Sequence, residues 1–96
     1  MAKPDDWRLS GQERYLAGAT LQRKRYRARS ERWEHDHCAF CWAKFMDAES
    51  GHGEVLTKGY TTTAAHPQGA DYHWVCDRCF ADFADRFAWR VIPAEG

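Results

Sequence analysis

Cys76-Asp77-Arg78-Cys79 and the run that follows it, residues 80–91, decide how this chain is read, because they answer an earlier Cys38-Ala39-Phe40-Cys41. The two Cys-x-x-Cys pairs account for every cysteine of the 96-residue chain, with 34 residues between Cys41 and Cys76. A Cys-x-x-Cys turn lets both sulfurs point at one centre, so two such turns supply the four thiolates of a closed tetrahedral zinc site. A disulfide framework and a reactive dithiol are the other uses of the same residues. The opening Met1-Ala-Lys-Pro-Asp-Asp has no apolar stretch of the kind an export signal needs. A cytoplasmic location follows as the expectation, and it favours metal ligation over disulfides.

Working outward from the second pair, Phe80, Phe83, Ala84, Phe87 and Val91 fall at helical spacing, with Asp82, Asp85 and Arg86 on the opposite face. A helix over 77–91 is predicted, with Asp77 as its N-cap and Pro93 beyond its end. Cys79 then lies in the first turn, where free N–H groups stabilise thiolate charge. Upstream, residues 55–64 are β-branched and aromatic and read as a strand interrupted or bulged at Gly59. Residues 66–71 have the composition of a turn. Tyr72, Trp74 and Cys76 alternate with His73 and Val75, which completes a hairpin.

Around the first pair, Phe40, Trp42 and Phe45 are expected to pack about the metal, and residues 42–48 read as helix-like. Four cysteines already close a tetrahedron, so His37 is expected to hydrogen-bond a thiolate rather than to ligate. Residues 47–54, with Gly51-His52-Gly53, read as a loop in which His52 has no evident partner.

A Cys pair in a turn, then a β-hairpin, then a second Cys pair opening a helix: this order resembles the treble-clef zinc finger. The resemblance rests on Cys38, Cys41, Cys76 and Cys79, the hairpin 55–76 and the helix 77–91, and covers about residues 36–91. It implies one structural Zn2+ and an α+β fold, and it names no activity, since treble clefs occur in ribosomal proteins, nucleic-acid readers, interaction modules and some nucleases. The stretch between the first pair and the hairpin is longer than in the simplest members.

The N-terminal half carries opposite charge. Residues 1–33 hold nine Lys/Arg against four Asp/Glu, and residues 34–96 hold five against ten. Ser10 and Glu13 fit a capping box for a short helix over 11–17, which Gly18 would stop. From residue 19 to 29 the pattern is that of a strand: Arg23, Arg25, Arg27 and Arg29 share one face, and Lys24 and Tyr26 the other. The arginines either pair with the acidic half or grip phosphates, with Tyr26, Trp33 and Tyr15 as stacking faces. The expected organisation is a flexible 1–7, one domain over 8–92 and a tail at 93–96. Within the domain, 8–33 is basic and 34–92 holds the zinc.

Mean hydropathy is −0.77 and no stretch approaches a membrane span. A chain this short buries only about 60–70% of its unfolded surface, so a metal staple is useful to it. A zinc hydrolase is disfavoured because four cysteines leave no coordination position for water. A nuclease would need more than His66 and His73, and a thiol oxidoreductase would need a βαβ setting. Two binding readings remain, with no enzyme expected. One is a protein-interaction module, favoured by Trp, Tyr and Arg content. The other is a nucleic-acid binder using Arg23, Lys24, Arg25, Arg27 and Arg29, against which stands a pI of about 6.9.

Overall fold

The computed structural model describes residues 7–27, 35–46 and 55–93. Arg29, Trp33, the 47–54 loop with His52, and the two chain ends at 1–6 and 94–96 lie outside the described residues. The fold is α+β: α1 (Glu13–Leu16), β1 (Thr20–Arg25), β2 (His35–His37), β3 (Lys44–Met46), β4 (Lys58–Thr62), β5 (Trp74–Val75), α2 (Asp77–Phe87) and β6 (Arg90–Ile92). Four strands form one sheet in the order β5-β4-β1-β6, and β2 pairs with β3 alone.

The expected order of parts is present, with physical adjustments at their edges. Trp42 takes a left-handed conformation, φ 66. That turns the chain back on itself after the first Cys pair, so residues 44–46 become a strand against β2 instead of continuing as a helix. Cys38 N–H donates to Ala43 O at 2.8 Å, which closes the knuckle. Phe40 and Phe45 are buried as expected, whereas Trp42 is thrown outward and is 69% exposed.

In the following hairpin β4 pairs antiparallel with β5, Tyr60 opposite Val75 and Thr61 opposite Trp74. Gly59 is not a bulge but stands in regular register with Lys24. Its lack of a side chain serves close packing: a Cβ there would lie 2.6 Å from Phe45 Cε1 and 2.9 Å from Val75 O. The strand expected over 72–76 shortens to two residues, and Trp74, Val75 and Cys76 are all buried. Both faces of the hairpin's second arm are therefore covered.

Helix α2 begins at Asp77, but its N-cap is Cys76 rather than Asp77, and the Cys76 side chain accepts from Cys79 N–H at 3.4 Å. It ends at Phe87, where Ala88 turns left-handed, φ 53. Val91 is therefore not on the helix. It sits exposed in β6, which runs parallel to β1 with Leu21 opposite Val91.

The basic stretch does form a strand, β1, but Tyr26 just beyond it is fully buried. Its ring packs edge-on to Trp74 at 4.9 Å and near Phe45 at 6.1 Å, and its hydroxyl donates to Asp36 at 2.9 Å. The short N-terminal helix is present, yet the expected capping box is not. Gln12 occupies the N-cap, and its buried side chain accepts from Ser10 N–H and donates to Arg8 O and Ala39 O. Long-range anchoring has displaced the local cap. Gly18 stops the helix with φ 69, as expected.

Candidate metal centre

Three elements converge on the cysteines. The β2–β3 knuckle carries Cys38 and Cys41, the end of β5 carries Cys76, and the first turn of α2 carries Cys79. All four sulfurs lie within 4.8 Å of one another, and three of the four residues are buried, Cys41 less so. Backbone ties fix the geometry: Ala39 N–H donates to Trp74 O at 2.8 Å, seating the knuckle on β5. Cys76 N–H donates to Cys38 Sγ at 3.4 Å.

The thiols behave as one coupled group. Cys38 is held well below the ordinary thiol range by hydrogen bonds from Cys76 and Cys79. Those same contacts, chiefly with Cys38, push Cys76 and Cys79 up, and burial adds to it. Like charges packed this closely cannot all form unaided. A bound cation is what permits all four to ionise, so the donor set fits a four-coordinate metal ion. Cys41 Sγ lies 3.6 Å from Cys76 Sγ, far outside bonding distance for a disulfide, and all four cysteines are free.

One residue at this centre has no signal in the sequence. Arg8 lies 71 positions before Cys79 and brings Nη1 to 3.5 Å from its sulfur. The same guanidinium binds Asp82 at 2.8 Å and lies over the Phe83 ring at 4.5 Å. Residues 8–12 thus cover the cysteine site, held by Arg8 and Gln12. Beneath them an aromatic cluster supports α2: Phe40 stacks on Phe83 at 4.8 Å and meets Phe87 edge-on at 5.3 Å.

The other sequence-derived candidates are dispersed. His37 is exposed on β2, beside His35 and the Trp42 ring. Arg23 forms a bidentate pair with Asp77, and Lys24 binds Asp71. Arg25 and Arg27 are exposed, and Tyr26 is in the core and unable to offer a stacking face. His66 and His73 stand together, ring centroids 5.2 Å apart, at a cavity of about 780 Å³ shared with Tyr15 and Tyr72. Each imidazole is used to hold structure: His66 Nε2 bonds Tyr15 O at 2.7 Å, and His73 Nε2 bonds Gln68 Oε1 at 2.6 Å.

No protein-family model, curated protein sequence or solved structure matches this chain. No helix among the described residues is long and apolar enough to cross a membrane. The class that fold and site define is a small α+β protein built around four cysteines placed to hold a metal ion.

Proposed function

We propose that this chain is a structural-zinc module over residues 8–92 whose task is protein–protein interaction. The observation that carries the reading is the closed, largely buried four-sulfur cluster. An all-thiolate donor set is soft and suits zinc over the hard oxygen-seeking cations. Zn–S bonds of about 2.3 Å put the sulfurs of a tetrahedron about 3.8 Å apart, close to the 3.6 Å between Cys41 and Cys76. Four thiolates leave no position for a reacting water, so the ion's part is to hold the fold, and no enzymatic role is assigned.

Support for a protein partner comes from the surface. Trp7 is 73% exposed and Trp42, next to Cys41, is 69% exposed. Large aromatics at the surface of a small domain are the usual anchors of an interface. Nucleic-acid binding by the basic stretch is the weaker reading, because Arg23 and Lys24 are neutralised by Asp77 and Asp71 and Tyr26 is buried.

Metal analysis of protein purified without added zinc or chelator tests the proposal. One zinc per chain is expected. Structural zinc contributes on the order of 10 kcal/mol to folding, comparable to a small domain's whole stability. Chelation or Cys76→Ser should therefore abolish the far-ultraviolet circular-dichroism signal of α2 together with cooperative unfolding. A native spectrum after complete metal removal would sink the structural role. Oxidised cysteines in place of metal would transfer the site to the thiol-redox reading.

A further inference from the structure

β1 is covered unequally along its two edges. Toward β4 it is paired from Leu21 to Arg25, but toward β6 the pairing stops at Gln22, opposite Ile92. Backbone direction alternates along a strand. Tyr26 N–H reaches Thr57 O at 2.7 Å on the β4 side, and Ala19 O accepts from Arg90 N–H at 3.0 Å on the β6 side. Odd-numbered residues therefore turn their backbone groups toward β6, and those of Arg25 open onto an edge that no strand among the described residues covers.

Side-chain charge marks the same place. Arg25 stands directly opposite Lys58, and both are exposed. Like charges facing each other across a ladder cost stability. Arg23 and Lys24, two residues and one residue earlier, have carboxylate partners. Among the described residues Arg25, Arg27 and Lys58 have none. Among the described residues the sheet thus ends in two cations without a carboxylate partner, Arg25 and Arg27, beside an edge that no described strand covers, with Lys58 across β1 adding to the positive charge.

We propose that this edge is the docking site for an extended, acidic segment of a partner protein, which adds as a strand beside Arg25 and places carboxylates against Arg25 and Arg27. The inference rests on the protein-interaction reading and locates its surface. A peptide backbone complements the exposed N–H and C=O groups of a strand edge. A phosphate backbone complements only the charge, and Tyr26, the aromatic of this stretch, is turned into the core.

The test is titration of metal-loaded, full-length protein with a labelled Glu-rich peptide of about eight residues, a full strand's length. An N-methylated version of that peptide and an oligothymidylate are run in parallel. The acidic peptide should bind, and the N-methylated one should lose about tenfold or more, since methylation removes its backbone donors. Arg25→Glu gives the sharpest reading, because it places a carboxylate opposite Lys58. It should raise the melting temperature while weakening the peptide about tenfold or more. Arg23→Ala should leave binding nearly unchanged. Equal binding of the N-methylated peptide, indifference to Arg25→Glu, preference for oligothymidylate, or no binding by the metal-loaded protein would each overturn the inference. Absence of metal would instead overturn the reading on which it rests.

Discussion

Arg8 and Arg23 each hold an aspartate of α2 at 2.8 Å, Asp82 and Asp77 respectively, but in two different surroundings. At the cysteine centre the Arg8 side chain is 11% exposed, lies over Phe83 and touches Cys79 Sγ. On β1 the Arg23 side chain is 43% exposed and faces water. Coulomb attraction between identical groups is screened weakly in the first place and strongly in the second. The comparison teaches that burial, more than the presence of a pair, decides what a charge is worth here. It also divides the molecule into a sheltered cysteine side and a solvated basic side.

Gly59 is where the two sides press together, and the largest of the effects below is expected there. It stands opposite Lys24 of the basic strand and against the Phe45 ring of the knuckle side. Gly59→Ala would drive a methyl to 2.6 Å from Phe45 Cε1 and 2.9 Å from the Val75 carbonyl. Backbone cannot swing aside as a side-chain tip can, so an overpacking cost of about 1–3 kcal/mol is expected. For a domain of this size that lowers the melting temperature by several degrees, roughly 4–8 °C per kcal/mol. Melting at the wild-type temperature would mean that the two sides are not rigidly joined and that the comparison concerns loosely coupled parts.

Arg8→Ala probes the sheltered side. A metal centre of four thiolates and one divalent ion carries net negative charge, and Arg8 is the cation seen to touch one of its sulfurs. Removing such an outer contact should weaken metal retention roughly tenfold, the low end for outer-shell partners. Competition against a chromogenic chelator measures it, with Arg8→Lys recovering part of the loss because charge is kept and the planar fork is not. If metal retention is unchanged while stability falls, Arg8 acts only by packing over Phe83, and its difference from Arg23 is one of apolar contact rather than charge.

The two sides were also unequally legible in the sequence. The four cysteines and the start of α2 follow from local spacing: a Cys-x-x-Cys turn brings its own sulfurs together, and the Phe80, Phe83, Phe87 stripe announces its own helix. The end of α2 escaped because its stop uses no glycine. Trp89 N–H reaches back to Ala84 O at 3.1 Å and Ala88 N–H to Asp85 O at 3.2 Å, the pattern of a left-handed helix stop built on alanine. The chain is then drawn onto the sheet by Trp89 Nε1 donating to Leu16 O and Arg90 N–H to Ala19 O, groups some seventy positions away. Tyr26 departs from its expected exposure for the same reason. Its neighbours in sequence are cations, while its neighbours in space are Phe45 and Trp74. Arg8, Gln12 and the partners of Arg23 and Lys24 are likewise fixed by contacts that no short pattern encodes.

A smaller effect is expected in the seam between α1 and the loop after β4. His73 stacks on Tyr15 at 4.5 Å, meets Tyr72 and His66, and shares its cavity with Arg14. Burial, and secondarily the charge of His66, lower its pKa from 6.5 to about 4. Between those values the unfolded chain binds a proton that the folded chain refuses, so stability falls as pH drops from about 6.5 toward 4. Equilibrium denaturation of wild type against His73→Asn isolates this contribution from acid protonation of the cysteine centre, which both proteins share. The variant should show the shallower decline over that window. Parallel curves would show that His73 does not resist protonation in the fold, and that the seam is as open to water as the basic strand.

Arg23→Ala should do least. The pair with Asp77 is bidentate, at 3.2 and 2.8 Å, which favours it over an ordinary surface contact. Both side chains are nevertheless solvated, and such pairs contribute at most about 1 kcal/mol, less in salt. Asp77 also sits in the first turn of α2, where the helix end itself stabilises a carboxylate, so its charge is not stranded when Arg23 is removed. The expected loss is therefore under about 1 kcal/mol, shrinking as ionic strength rises, by chemical denaturation at low and high salt. A loss of several kcal/mol that salt leaves untouched would place Arg23 with Arg8, acting through apolar packing of its stem beside Tyr60, its register partner on β4, rather than through its charge. The boundary between the sheltered and solvated sides would then run outside β1 instead of along it.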